Sequence, residues 1–307
     1  MKTMCLREDH RALVEWEVPV PSPRGGEVLV RVHAAGVTPT EMQWYPTTHT
    51  NTGEPRRNAV PGHEFSGVVQ ALGEGVTGFR VGEEVYGFND WFSDGGTADY
   101  CLTQPAMIAP KPKSLSHIEA ASIPIGALTA RQGLHTQARL QAGERVLIHG
   151  GAGAVGVFAV QMAKQTGAHI VTTASARNRE FLRELGAEMV IDYHSERFED
   201  RAGEFDVVFD GVGGETLRRS WAVLKPGGRM VTIAADGEST LDEREKAAFF
   251  IVEVSQEQLR EIAAQIDQGA LQTFVDAVVP LHEASAAYFG KIPQRNGYGK
   301  TVIAVIG

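Results

Sequence analysis

Cysteine is scarce: 307 residues hold only two, Cys5 and Cys101. They stand far apart and in no metal-ligand spacing. Neither a disulfide framework nor a multi-thiolate zinc site is expected, and a reducing, cytoplasmic setting is. Also missing is any run of about 18 apolar residues, the length a membrane-spanning helix needs. The segment Met1 to Asp9 has no apolar core and turns charged at once, so no secretory signal is expected there. A basic excess is missing too. Against 38 Asp and Glu stand 29 Lys and Arg, a net charge of −9. That argues against nucleic acid as the main partner, because phosphate backbones need a basic face. It leaves room for a local basic pocket that takes one phosphate, and a small-molecule substrate is the expected partner. No internal repeat and no low-complexity segment is present.

The length suits two domains of roughly 100–200 residues each. With 43% hydrophobic and 22% charged residues the composition is that of an ordinary globular protein. The first part reads as β-rich. Strand-like runs cover 28–34, 65–72, 84–88 and 98–102, separated by glycine-bearing turns at Pro61-Gly62, Gly73-Glu74-Gly75, Gly82 and Gly95-Gly96. Short strands at this spacing suggest a barrel-like or sandwich-like unit. From Arg145 the texture changes. Strands at 145–149, 169–173, 189–192, 206–210 and 229–234 alternate with helices at 154–166 and 177–185, each helix followed by a glycine, Gly167 or Gly186. Such alternation predicts a parallel sheet of βαβ units. Phe249 to Val252 reads as a further strand, either central or an edge that pairs with its twin in a dimer. Ser255 and Gln258 form a capping pattern before a helix that ends at Gly269. Two more strand-like runs, 274–279 and 301–306, close the chain.

The strongest local motif is Gly151-Ala152-Gly153-Ala154-Val155-Gly156. GxGxxG alone is weak, but here it follows a strand and opens a helix, the context a dinucleotide site requires. Glycines permit the tight turn, the approach of backbone to a pyrophosphate and close helix–sheet packing. The helix N-terminus then offers free N–H groups to phosphate. About 20 residues on, an NAD site usually presents an acid to the ribose 2′-hydroxyl. This chain reads Thr172-Thr173-Ala174-Ser175-Ala176-Arg177-Asn178-Arg179, with no carboxylate before Glu180. A hydroxyl and two arginines suit a 2′-phosphate, since guanidinium pairs with phosphate as a fork. Arg177 is the first choice, Arg179 the second, and the expected cofactor is NADP(H).

At this point the chain resembles the medium-chain dehydrogenase/reductase superfamily, and within it the zinc-free, quinone-oxidoreductase-like branch. The resemblance rests on Ala34 to Glu41, Pro61 to Val69, Gly95 to Tyr100, Leu128-Thr129-Ala130, the glycine loop, Leu185-Gly186-Ala187, Asp210 to Gly214 and Leu224 to Arg229, in that order along nearly the whole chain. It implies an α/β fold: a GroES-like β-rich catalytic domain formed by 1–122 and 273–307, with a Rossmann doubly wound parallel-sheet domain, 123–272, inserted into it. It also implies further cofactor contacts. Gly153, Ala154 and Val155 match the pyrophosphate loop, and Thr129 a threonine near the nicotinamide ribose. Ser175, Arg177, Tyr193 and, more loosely, Arg295 match positions that hold a 2′-phosphate. Phe250, Ile251 and Val252 match backbone that meets the carboxamide. A homodimer is expected on the same grounds.

His63-Glu64 invites a metal reading, because zinc-dependent members of the superfamily carry Gly-His-Glu. A catalytic zinc needs three protein ligands and one open position. The position of the first ligand is Thr38 here, and the third should fall near Pro124 to Ala127, which offers no thiolate or imidazole. Zinc is therefore not expected, and His63 is read as a hydrogen-bonding residue under the active site. Without a Lewis acid, reduction of a quinone or an electron-poor double bond is easier than alcohol oxidation, because donors or water can stabilise charge on a conjugated oxygen. Zinc-free relatives usually show Asn-Pro-x-Asp where this chain has Thr38-Pro39-Thr40-Glu41, and often a tyrosine where it has Gln43. The catalytic candidates are Tyr45 as a hydrogen-bond or proton donor, with Thr38 and Gln43 bonding the ribose or the substrate. Two other readings stand beside a quinone or enone reductase: an enoyl-thioester or natural-product tailoring reductase, for which Arg56 and Arg57 are the only hint, and an NADPH-binding sensor or structural protein with little turnover.

Overall fold

The computed structural model describes residues 1–201, 203–234 and 242–306. The chain divides into two compact units. One comprises Met1–Ile125, Val254–Asn296 and Lys300–Gly307; the other comprises Gly126–Glu253 and Gly297–Gly299.

The first unit holds strands β1 (Lys2–Leu6), β2 (Leu13–Glu17), β3 (Val28–Gly36), β4 (Glu64–Leu72), β5 (Glu84–Phe88), β6 (Tyr100–Thr103) and β7 (Ile108–Pro110). The tail returns two more, β13 (Val275–Pro280) and β14 (Lys300–Ala304). The main sheet runs β13-β14-β3-β4-β5-β7, with β6 on the far part of β3. Val28, Val30 and Val32 lie on alternate positions of β3 and are fully buried with Phe65, Val69, Val85 and Ile108, the expected result of two-residue periodicity in a β-branched strand. The hairpin β1–β2 pairs Lys2 with Glu17 through Leu6 with Leu13 and was not foreseen from the sequence. Its Met4, Leu6 and Leu13 share a core with Val37, Met42, Tyr288 and Ile303.

Residues 254–272 belong to this first unit, whereas the sequence reading assigned them to the nucleotide domain. The helix Gln256–Asp267 begins as expected, with Ser255 Oγ accepting from Gln258 N at 3.3 Å. It then packs on the first unit. Tyr86 donates to the Leu259 carbonyl at 2.6 Å, Gln256 to the carbonyls of Pro105 and Ile108, and Asp267 accepts from Lys113 and Ser114. These partners lie 148 to 173 positions away in sequence, so no local signal announces them.

The second unit holds β8 (Arg145–His149), β9 (His169–Ala174), β10 (Met189–Asp192), β11 (Phe205–Asp210) and β12 (Leu224–Thr232), all parallel, in the order β10-β9-β8-β11-β12. The order reverses at β8 and β11, and the crevice beyond their carboxyl ends is where such sheets bind ligands. Val146, Leu147, Ile148, Val207 and Val208 are all fully buried, because a sheet covered by helices has no solvent face. The helix after β8 spans Gly156–Thr166 and ends at Gly167 in the left-handed region, φ 82°. A 3₁₀ turn, Ala176–Asn178, precedes the helix Arg179–Leu185.

Phe249 to Val252 does not form the expected strand. Phe249 makes a single parallel bridge to Thr232, and Phe250 N donates to the Thr232 carbonyl at 3.2 Å. Beyond it the Gln132 side-chain amide takes over, donating to the Glu253 carbonyl at 2.7 Å and accepting from Glu253 N at 2.9 Å. A side chain, rather than a ladder, satisfies that backbone. Ile251 is 61% exposed and Val252 is buried.

Candidate cofactor and active-site residues

The glycine loop leaves β8 at Gly150, which has φ +76°. Gly150 N and Gly151 N are held by the Thr173 hydroxyl and carbonyl at 3.2 and 3.1 Å, pinning the loop to β9. A Cβ on Gly151 would overlap the Thr172 side chain, and one on Gly156 would overlap the backbone of Gly150 and Gly151. These two glycines are thus required by close packing. Gly153, Ala154 and Val155 form the accessible rim. Val155 precedes the helix without any side-chain cap, and the carbonyls of Gly153 and Val155 take Val157 N and Phe158 N, each at 3.1 Å. Gly126, in the helix Pro124–Arg131, lies so close that a Cβ there would overlap the Ala154 carbonyl.

Thr129 sits in the same helix, 4% exposed, and its hydroxyl has no hydrogen-bond partner among the described residues. A buried hydroxyl without a partner carries a desolvation cost of about 1–3 kcal/mol. A helix N-terminus without a side-chain cap beside a glycine loop, with an unpartnered hydroxyl on the adjoining helix, fits a dinucleotide that supplies phosphate oxygens and a ribose.

At the ends of the neighbouring strands β9 and β10 stand Ser175, Arg177 and Tyr193. Ser175 opens the 3₁₀ turn, its hydroxyl making no cap bond. Arg177 is exposed and makes no ion pair among the described residues. Tyr193 is 59% exposed; its N–H reaches the Ala174 carbonyl at 3.4 Å, and its ring lies on His194 at 4.2 Å. Arg179 does not fit the role of second phosphate ligand, since it is paired with Glu196 at 3.1 Å. The nearest strand-end acid, Asp192, is folded into its own turn. It accepts from Ser195 Oγ at 2.9 Å and His194 N at 3.2 Å, and these bonds hold its carboxyl below the usual range. Arg295 lies in the first unit, its guanidinium engaged at 2.5 Å by the buried carboxylate of Asp276.

In the first unit a buried polar network surrounds Thr38. The Lys300 ammonium donates to Thr38 Oγ1 at 2.9 Å and pairs with Glu64, whose other oxygen accepts from Ile125 N at 2.8 Å. Glu41 is fully buried, accepts from Gly62 N at 2.7 Å, and lies 3.5 Å from His63 Nε2. Burial pushes the Glu41 carboxyl up to about 8 and the His63 imidazole down to about 4. His63 Nδ1 is bonded to Asn89 Oδ1 at 2.9 Å. Both ring nitrogens therefore face protein partners, as expected of a hydrogen-bonding rather than a ligating histidine. With Thr38 facing an ammonium, the donor set fits no tetrahedral zinc. Among the described residues no group of three or more His, Cys, Asp or Glu is placed to hold a metal ion.

Tyr45 opens a short helix, Tyr45–Thr48, and is 55% exposed. Its ring stacks on His49 at 4.6 Å with 5° between planes, and Phe92 meets it edge-on at 6.5 Å. Trp44 meets Trp91 at 5.6 Å, and Trp91 meets His63 at 5.3 Å. Gln43 ends the 3₁₀ turn Pro39–Gln43 and is exposed. Arg56, the hint toward an acyl carrier, is bound to Asp94 at 2.7 Å and to the Pro46 carbonyl. Lys300 and Asn178 were not singled out from the sequence. Only a GK pair at the start of the last strand and a plain Asn in a helix start mark them, and neither signal is specific.

Two family models match: an alcohol dehydrogenase GroES-like domain over residues 24–129 and a zinc-binding dehydrogenase domain over 185–303. A 2-methylene-furan-3-one reductase of Solanum lycopersicum is 32% identical over 300 residues, covering 94% of this chain and 74% of the relative. A chloroplastic NADPH-dependent alkenal/one oxidoreductase of Arabidopsis thaliana is 29% identical, covering 94% and 75%. The solved quinone oxidoreductase of Coxiella burnetii superposes with a TM-score of 0.89 at 30% identity, covering 100% and 99%.

Proposed function

This chain belongs to the medium-chain dehydrogenase/reductase family, and from that premise we propose that it is an NADPH-dependent, zinc-independent reductase of quinones or α,β-unsaturated carbonyls. It is an oxidoreductase with a nicotinamide cofactor; the preference for the phosphorylated form and the substrate class are our reading. The observation that carries it is the cradle of Gly151 to Gly156 beside the unpartnered Thr129 hydroxyl, with Arg177 and no free acid at the end of the second strand. The relatives' names, a furanone reductase, an alkenal/one oxidoreductase and a quinone oxidoreductase, support the substrate class.

Gly153, Ala154 and Val155 would hold the pyrophosphate, Thr129 the nicotinamide ribose, Phe250 and Val252 the carboxamide, and Ser175, Arg177 and Tyr193 the 2′-phosphate. Arg295 is engaged by Asp276 within the first unit. Bound NADPH supplies a hydride for the electron-poor carbon. The chain's own task is to steady the negative charge that then grows on the conjugated oxygen. Thr38 is suited to this. Its oxygen accepts from the Lys300 ammonium, so its one proton is left to donate elsewhere, and the ammonium polarises that O–H. Tyr45, an exposed residue, presents a second hydroxyl and delivers the proton. Gln43 is a further donor at the same turn.

No helix among the described residues is long and apolar enough to cross a membrane. We propose a cytoplasmic homodimer, its contact at the open edge beyond β12 where Ile251 is exposed.

The test is loss of NADPH absorbance with a quinone, a 2-alkenal and a short enoyl thioester. Turnover of the first two with NADPH well above NADH supports the proposal. Thioester-only turnover moves the chain to acyl chemistry. Equal use of NADH removes the cofactor assignment, and tight NADPH binding without any turnover makes the protein a sensor.

A further inference from the structure

Within the second unit, three tail residues, Gly297, Tyr298 and Gly299, lie as a strap across both parts of the candidate nucleotide site. At one end Gly299 N donates to the Ala152 carbonyl at 2.8 Å, and Gly299 forms a parallel bridge with Gly153. At the other end Asn178 Nδ2, on a side chain only 5% exposed, donates to the Gly297 carbonyl at 2.9 Å. Between them the Tyr298 ring stacks on Phe181 at 4.0 Å with 22° between planes. Gly297 has φ +88°, and a Cβ there would run into the Nη2, Cζ and Nε atoms of Arg177.

The guanidinium therefore occupies the space that a side chain at Gly297 would take. Arg177 makes no ion pair among the described residues, so this backbone is what limits where its charge can go. A long, exposed side chain otherwise loses rotamer entropy on being fixed by a ligand. A surface that restricts it beforehand lowers that cost. The strap also ties Arg177 to the glycine loop through Gly299, which fixes the spacing between a guanidinium and a phosphate cradle.

We propose that the Gly297–Tyr298–Gly299 strap is the specificity-determining element for the ribose 2′-phosphate, acting by positioning Arg177. This rests on the NADPH reading above. Tyr298 and Gly297 are positioning residues: neither is assigned to touch the cofactor.

The experiment is equilibrium titration of the full chain with NADPH, NADH and 2′,5′-ADP, for the native protein and for Arg177→Ala, Tyr298→Ala and Gly297→Ala. Native protein should favour NADPH, and Arg177→Ala should abolish most of that preference. Tyr298→Ala and Gly297→Ala should each weaken NADPH and 2′,5′-ADP by about tenfold, the scale of one charge-assisted bond, with NADH binding unchanged. Retained NADH binding also shows that the variants fold. Adding Tyr298→Ala to Arg177→Ala should bring no further loss, since both act through one guanidinium. If the native protein shows no preference, the underlying cofactor reading fails. If Arg177→Ala removes the preference and both strap variants keep it, the strap proposal fails alone. Equal weakening of NADPH and NADH by Tyr298→Ala also overturns it, because the strap would then merely brace the glycine loop.

Discussion

Lys300 and Glu64 form an ion pair in the interior of the first unit, with side chains 4% and 1% exposed. The pair closes a network in which Lys300 also holds Thr38. Removing one partner of a buried pair strands the other charge, at about 3–5 kcal/mol, whereas removing both is far milder. Lys300→Met should therefore lower stability by that amount in urea unfolding. Lys300→Met combined with Glu64→Gln should recover most of it. A single variant with native stability would mean that the pair does not hold this network together.

Tyr45 is fixed by its ring, through His49 and Phe92, and not by its hydroxyl. Tyr45→Phe should keep the stack and lose only the donor. We expect kcat to fall by roughly 10²-fold, the lower end for a positioned acid, with the dissociation constant for NADPH unchanged. Unchanged kcat would remove Tyr45 from the chemistry.

Gly156 faces the backbone of Gly150 and Gly151, neither of which can swing aside as a side chain could. Gly156→Ala should cost about 1–3 kcal/mol of stability, as overpacking does, and should weaken NADPH and NADH together. Equal loss of both cofactors separates this glycine from Arg177 and is read by the same titrations.

Burial lowers three imidazoles, His63, His117 and His149, from 6.5 to about 4 each. His149 is held between Thr173 and Ser220. The unfolded chain takes up protons at these sites near pH 6.5, while the folded chain resists until near pH 4. Stability from these groups is present above 6.5 and is lost as pH falls toward 4. The buried Glu41 carboxyl, raised from 4.5 to about 8, acts in the opposite sense, so its contribution declines as pH rises from about 4.5 to about 8. Melting temperature should drop steeply between pH 6.5 and 4, and His149→Gln should flatten that slope. An unchanged slope in that variant would show that His149 is not among the titrating groups.

Much of the fold is legible in local pattern. The alternation from Arg145 onward and the glycines Gly167 and Gly186 place the parallel strands within a residue or two, apart from the early start of β12 at Leu224, because buried parallel strands and helix ends carry strong local signals. Three readings depended on distant partners and fell short. Residues 254–272 join the first unit through Tyr86, Pro105 and Ile108. Phe249 to Val252 looks like a strand by composition, yet its backbone is satisfied by Gln132. Arg179 looks as good a phosphate ligand as Arg177 until Glu196 takes it. Tyr298 had no motif to mark it, since its meaning lies in Phe181, more than a hundred positions earlier.

The most direct measurement is a crystal structure of the chain grown with NADPH. The pyrophosphate should lie against the backbone of Gly153, Ala154 and Val155, and the 2′-phosphate should touch Ser175, Arg177 and Tyr193. An empty glycine loop, or a 2′-phosphate pointing away from Arg177, would contradict the cofactor assignment.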